Sequence, residues 1–216
     1  YSNLPSTTSS SNLLRLTQPS NGHKVGFCSN VNYTNHLLWH QPSNDADHIL
    51  STNKEKNPLR FTDPINCKPS EANYFGLKYF RESAVSSTTQ STSRQRSLAL
   101  VIAHAAGAIM KKSIRCLSEV EGLTIWNTEA KRIFHEILKT APLKEYASTE
   151  YFEGNYKSGE FVQGVRHEDL QATSFPSNKF DIIISTEVFE HIPDPYKAHR
   201  EVFRVLKRGG AHVFTV

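Results

Sequence analysis

At 216 residues the chain can hold one domain, or one domain with an irregular appendage, and either can bury a core. Its 25 Lys and Arg against 21 Asp and Glu leave a formal charge of +4, but the basic residues are scattered among acids and never run five in a row, which argues against a nucleic-acid groove. No apolar stretch reaches the roughly 18 residues of a membrane span, the longest being 98–110, interrupted by His104, so a soluble protein is expected.

In chain order, residues 1–24 are dominated by Ser, Thr and Asn with Pro5 and Pro19, and they read as a disordered leader that cannot bury enough apolar area to offset ordering entropy. Residues 25–92 stay polar and are broken by Pro42, Pro58, Pro64 and Pro69, yet aromatics recur (Phe27, Tyr33, Trp39, Phe61, Tyr74, Phe75, Tyr79, Phe80). A small irregular module is expected there. Residues 94–112 contain no Pro, are rich in Ala, Leu and Ile, and follow Ser91-Thr92-Ser93, any of which can cap a helix. Within 93–122, read as a helical connector, they form its helix. Three cysteines, Cys28, Cys67 and Cys116, form no C-x-x-C pair. They read as reduced thiols of a cytoplasmic protein, and no metal site is expected.

From Leu123 the pattern alternates. A short strand at 123–126 precedes a helix over 128–139, with Ile133, Phe134, Ile137 and Leu138 on one face. Strands are expected at 146–152 and 162–169, and Phe180-Asp-Ile-Ile-Ile-Ser185 has the continuous apolar character of a strand covered on both faces. Asp194 and Pro195 open a helix running to Lys207, Gly209-Gly210 ends it, and 211–216 returns as a strand. This order predicts an α/β domain over 123–216, a doubly wound, mostly parallel Rossmann-like sheet.

In such a sheet the ligand sits beyond the carboxyl ends of the strands, so acids at strand ends are the first candidates. Glu150 lies 23 residues after Asn127, suiting a ribose whose two hydroxyls donate to one carboxylate; it also reads as a surface acid. Glu168 and Asp169 follow the next strand, placed to accept from an adenine amine or to cap a turn. Asp181, entering a buried strand, is expected to bond backbone there. Glu187, Glu190, His191 and Asp194 lie in one loop over the cleft, where His191 reads equally as a general base or as loop packing.

The run Val165-Arg-His-Glu-Asp-Leu-Gln171, Ser174-Phe-Pro176, Phe180-Asp-Ile-Ile183, Val188-Phe-Glu-His-Ile-Pro-Asp-Pro195, Glu201, Arg204-Val-Leu-Lys207 and Gly209-Gly210 resembles the class I S-adenosylmethionine-dependent methyltransferases, in their small-molecule branch. The resemblance covers about 123–216. It implies S-adenosylmethionine as cofactor, with Glu150 at the ribose, Asp169 at the adenine amine, and the Phe189-Glu-His191 loop near the methionine end and a small-molecule O or N acceptor. Asn127, Glu129, Glu168 and Glu187 complete the expected cofactor set, with His191 as base. The family's Gly-rich first turn is replaced by Ile125-Trp-Asn-Thr-Glu-Ala130, in which Asn127 and Glu129 are expected to supply polar contacts. The family's sheet has two further strands after the fifth, so truncation after the fifth strand and an exposed apolar edge at 211–216 are expected. The front module resembles a degenerate zinc ribbon, with Ser86 and Thr89 where a second cysteine pair would stand. The alternative to a methyltransferase is a catalytically silent binding module on the same scaffold. Oligomeric state is not encoded legibly.

Overall fold

The computed structural model describes residues 25–29 as a backbone path, and 58–72 and 84–215 in full. The expected leader, and Tyr33, Trp39, Tyr74, Phe75, Tyr79 and Phe80 of the expected module, lie outside the described residues. Apolar runs with β-branched residues form β4 (Thr124–Asn127), buried throughout, and β8 (Phe180–Thr186), buried along most of its length; β9 (Leu206–Thr215) is largely buried, while the more polar β5 (Glu145–Glu150) and β7 (Val165–His167) are mostly half-buried. They lie parallel in the spatial order β9-β8-β4-β5-β7.

Both edges are antiparallel. At one, β6 (Phe161–Val162) folds back on β7 through Gln163 (φ 52) and Gly164 (φ 81), the left-handed pair that a two-residue hairpin turn demands. The single strand expected at 162–169 is therefore a tight hairpin. At the other edge β1 (Val25–Ser29) pairs with β9 from Val25↔Thr215 to Ser29↔Ala211. This corrects the expectation of an open apolar edge: the outward N–H and C=O groups of β9 are taken up by a strand from the region read as an irregular module.

Alternate side chains of each central strand enter opposite cores. Ile125, Ile182, Ile184 and Val213 face α1 (Ser93–Met110) and α2 (Arg132–Leu138). Trp126, Ile183 and Leu206 face α3 (Pro195–Val205), which presents Ala198, Val202 and Val205. Helices on both faces make the sheet doubly wound, as expected. Helix α1 is no connector but part of the first core, because Leu98, Ala99, Ile102, Ala105 and Ala106 form one buried face. Its start is a capping box: Thr92 Oγ1 accepts from Gln95 N, and Gln95 Oε1 accepts from Thr92 N.

Two boundaries shift for physical reasons. Helix α3 begins as expected, with Asp194 Oδ1 accepting from Lys197 N at 2.9 Å and Pro195 in the first turn. It ends at Val205, however, and β9 starts at once, so Gly209-Gly210 lies inside the strand. There the β8–β9 register jumps between Phe180↔Leu206 and Ile182↔Ala211. A Cβ on Gly210 would stand 2.9 Å from both Asp181 O and Lys207 O, so the glycines serve a bulge rather than a helix stop. Asp181 behaves as expected, accepting from Thr124 N and Lys207 Nζ, both at 2.7 Å, and so ties β8 to β4 and β9.

A two-stranded hairpin, β2 (Leu59–Thr62) and β3 (Pro69–Ala72), packs beside the domain. Its hub is the fully buried Asp63, whose Oδ2 accepts from Ser86 Oγ at 2.5 Å and Thr89 Oγ1 at 2.6 Å. Ser86 and Thr89, which resemble the second half of a metal knuckle in sequence, instead satisfy a buried carboxylate. Cys67 and Cys116 are joined in a disulfide, with Cα atoms 5.5 Å apart. This corrects the reading of reduced thiols: the docking of distant turns, invisible in sequence spacing, brings the pair together. Among the described residues no helix is long and apolar enough to cross a membrane.

Candidate functional site at the switch point of the sheet

From β4 the chain winds outward through β5 to β7, then returns to the other side of β4 with β8 and β9. The loops leaving β4 and β8 therefore diverge, which opens a crevice above their carboxyl ends. Residues 127–131 line one side of it and 186–191 the other.

The first loop is a turn built by a side chain. Asn127 is buried; its Nδ2 donates to Glu129 O at 2.7 Å and to Tyr146 Oη at 3.4 Å, and its Oδ1 accepts from Glu129 N at 3.4 Å. This Asx-type closure turns the chain without glycine. Glu150, at the end of β5, fixes the far side of the turn by accepting from Ala130 N at 3.0 Å through Oε1. Thr128 N donates to Ile184 O at 3.0 Å, holding the turn against β8. Thr128 Oγ1 is buried and has no hydrogen-bond partner among the described residues, so the turn presents to the crevice one polar atom that these residues leave unsatisfied.

Charge gathers around this turn. Glu129 pairs with Arg132 at 3.1 Å, and its carboxyl is pushed above the usual range chiefly by burial, opposed by Arg132 and reinforced by the Glu150 charge. Glu187, with a left-handed backbone (φ 52), lies 3.7 Å from Arg94 at the start of α1. Arg94 also acts on Glu129. Glu129, Glu150 and Glu187 thus meet Arg94 and Arg132 at the crevice. The Tyr146 hydroxyl stays protonated, pushed up to about 12 mainly by burial; it also lies 3.2 Å from His135 Nδ1.

The acids after β7 divide by role. The Glu168 side chain is fully buried and accepts from Arg166 Nε at 2.8 Å, Ser174 N at 2.8 Å and Ser174 Oγ at 2.5 Å, so it is committed to pinning the 168–174 loop. Asp169 is half-buried; its Oδ1 accepts from Gln171 N at 2.8 Å, and its N–H donates to Ser158 Oγ at 3.0 Å. His191 is exposed on the short 3-10 turn Phe189–His191, whose buried member is Phe189. The structure therefore brings Asn127, Glu129, Glu150 and Glu187 together, sets Asp169 on the flanking loop, and leaves His191 at the outer rim. Arg94, Arg132 and Tyr146 were missed by sequence reasoning. For Arg94 the only signal is its place at the capped start of a helix, whose proximity to a loop 93 residues later is a tertiary fact.

Beneath the crevice lies a second buried polar pair. Ser185 Oγ and His212 Nε2 are 2.8 Å apart, both fully buried, and the imidazole is pushed down to about 3, first by burial and then by His199. His212 stacks on Phe214 and borders Phe189 and His199, and so belongs to the core under the 188–191 loop.

Residues 132–214 match the methyltransferase domain family. A sterol 24-C-methyltransferase of Aspergillus fumigatus is 42% identical over 50 residues, which are 23% of this chain and 12% of that relative. The YcgJ protein of Bacillus subtilis shares 24% identity over 51% of this chain and 49% of its own, with a TM-score of 0.35. An S-adenosylmethionine-dependent methyltransferase of Mesorhizobium loti shares 23% over 44% and 47%, with a TM-score of 0.34. The chain thus spans about half the length of these two solved proteins and an eighth of the sterol enzyme.

Proposed function

From a chain whose residues 132–214 form a methyltransferase domain, we propose binding of S-adenosylmethionine in the crevice above β4 and β8 and transfer of its methyl group to an oxygen or nitrogen of a small-molecule acceptor. The observation that carries the reading is the Asn127-closed turn at the switch point, which directly precedes the matched stretch and is clamped by Glu150 from within it.

The residues fit the group. Glu150 uses Oε1 on the turn, which leaves Oε2 for ribose hydroxyls. Asp169, half-buried on the neighbouring loop, is placed for an exocyclic amine. The unsatisfied Thr128 Oγ1, with Glu129, Glu187 and Arg94, offers both signs of charge to an amino-acid end carrying an ammonium and a carboxylate. Glu168 supports this arrangement from behind by fixing the loop that carries Asp169.

The bound cofactor supplies an activated methyl on a sulfonium, an excellent leaving group. The chain's part is therefore orientation, exclusion of water and, where the acceptor must lose a proton, a base. His191, on the exposed turn, receives that proton in this reading.

Calorimetric titration with S-adenosylhomocysteine tests the proposal. Saturable binding, weakened at least about tenfold by Glu150→Ala, the loss of a charge-assisted pair of hydrogen bonds, supports it. A folded sample that takes up no ligand at millimolar concentration leaves the silent binding module as the reading of this scaffold.

A further inference from the structure

At the amino end of β4, opposite the crevice, the β2–β3 turn docks on the 3-10 turn Leu117–Glu119. Leu117 N donates to Pro64 O at 2.8 Å and Ser118 N to Ile65 O at 2.9 Å, and Ile65 and Leu117 are both fully buried in the first core. This docking brings together Cys67 and Cys116, 49 residues apart in sequence. Glu119 reaches the same point: one ligand atom from each of Cys67, Cys116 and Glu119 lies within 4.8 Å of the other two.

We propose that, once Cys67 and Cys116 are reduced, the two thiolates and the Glu119 carboxylate hold a thiophilic divalent cation of the zinc class, so that an ion cross-links this joint wherever the disulfide does not persist. A tetrahedral ion with sulfur at about 2.3 Å and oxygen at about 2.0 Å sets its donors roughly 3.5–3.8 Å apart; the sulfurs, bonded to each other in the disulfide, part to that spacing on reduction, and the Glu119 carboxylate already reaches within 4.8 Å of both. Two sulfurs and one oxygen select zinc or cadmium over magnesium or calcium. Cys116 is fully buried while Cys67 and Glu119 are half-exposed, so the ion enters from the solvent side and water completes the fourth position.

Arg115 orients the carboxylate. Its backbone N–H donates to Glu119 Oε2 at 2.9 Å, and its guanidinium holds Oε1. Such an outer contact fixes a metal-binding carboxylate. Two thiolates and one carboxylate against a divalent ion and one guanidinium leave the site neutral. The chemistry balances: an external dithiol supplies two electrons and two protons, becoming a cyclic disulfide itself, and ion binding then releases the two thiol protons to solvent. No C-x-x-C pair announces the site, because its sulfurs come from two separate turns.

The test uses the whole chain, reduced, freed of reductant without oxygen and titrated with cadmium. A thiolate-to-cadmium charge-transfer band saturating at one equivalent is expected. It should be absent in Cys67→Ser and Cys116→Ser and unchanged in Cys28→Ser. Glu119→Gln, which keeps both thiols and alters only a half-exposed side chain, should weaken affinity at least about tenfold. Zinc should also restore the thermal midpoint lost on reduction, and a chelator should remove that gain. Absence of the band, or a band that survives Cys67→Ser or Cys116→Ser, overturns the proposal and leaves the pair as a disulfide alone. Full affinity in Glu119→Gln overturns the three-donor site.

Discussion

Asn127 closes the turn after β4 with three side-chain hydrogen bonds, two of them to the backbone of Glu129, where a glycine-rich turn would close by backbone freedom alone. The side chain is buried, so Asn127→Ala leaves Glu129 O without its 2.7 Å donor and is expected to cost about 1–3 kcal/mol in denaturant unfolding. Asn127→Asp keeps the acceptor but sets a second oxygen against Glu129 O in a buried site beside the Glu129 and Glu150 carboxyls, and should cost at least as much. Unchanged stability in both variants would mean that Glu150 and the Thr128–Ile184 backbone bond hold the turn without Asn127. His212 supplies a second residue-scale prediction. Its folded-state pKa is depressed from 6.5 to about 3, so below 6.5 the unfolded chain binds a proton that the folded chain does not. The stability it contributes is therefore present above 6.5 and falls continuously as pH drops toward 3. His212→Gln, which can still bond Ser185 Oγ, should flatten stability against pH across that window in equilibrium unfolding, and an unaltered slope would exclude His212 as its source.

Among elements, β9 departs furthest from its sequence signature. Helical periodicity through Val202, Phe203, Val205 and Leu206, followed by two glycines, reads as a helix with a glycine stop. In the structure Leu206 is already paired with Phe180, and the glycines absorb a register jump over the carbonyl of Asp181. Gly210→Ala sets a methyl 2.9 Å from two backbone oxygens, which cannot swing aside as a side chain would. A loss of about 1–3 kcal/mol is expected by thermal unfolding, with β8 and β9 amides losing protection from hydrogen exchange together. A variant as stable as the parent would show that the bulge relaxes freely.

The same contrast explains what was legible beforehand. Strand β8, α3 and the doubly wound class follow from local pattern, because a strand buried on two faces and an Asp-Pro cap leave local marks. Glu150 was legible too, as an acid at a strand end. The roles of Glu168, Arg94 and β9's glycines were not, since each depends on a partner brought near only by the folded sheet.

At the scale of the molecule, the front of the chain completes the sheet rather than standing apart from it. The hairpin β2–β3 is stapled to the entrance of β4 by Cys67–Cys116. In the loop-entropy model a 49-residue separation corresponds to about 4 kcal/mol, and the metal-free Cys67→Ser, Cys116→Ser double variant should approach that loss. Strand β1 does the corresponding work at the far edge, where its antiparallel pairing occupies the outer side of β9. In an antiparallel pair successive residues alternate between those that exchange hydrogen bonds with the partner and those that do not, so of Gly26 and Phe27 only one directs its N–H at β9. Proline introduced singly at the two positions should therefore act unequally. The variant that removes the inward N–H uncovers a ten-residue strand, raises light scattering on warming as edges associate, and speeds exchange of the β9 amides at 211–215; the other changes neither strongly. Two proline variants that both leave the β9 amides protected would mean that β1 does not cover this edge in solution.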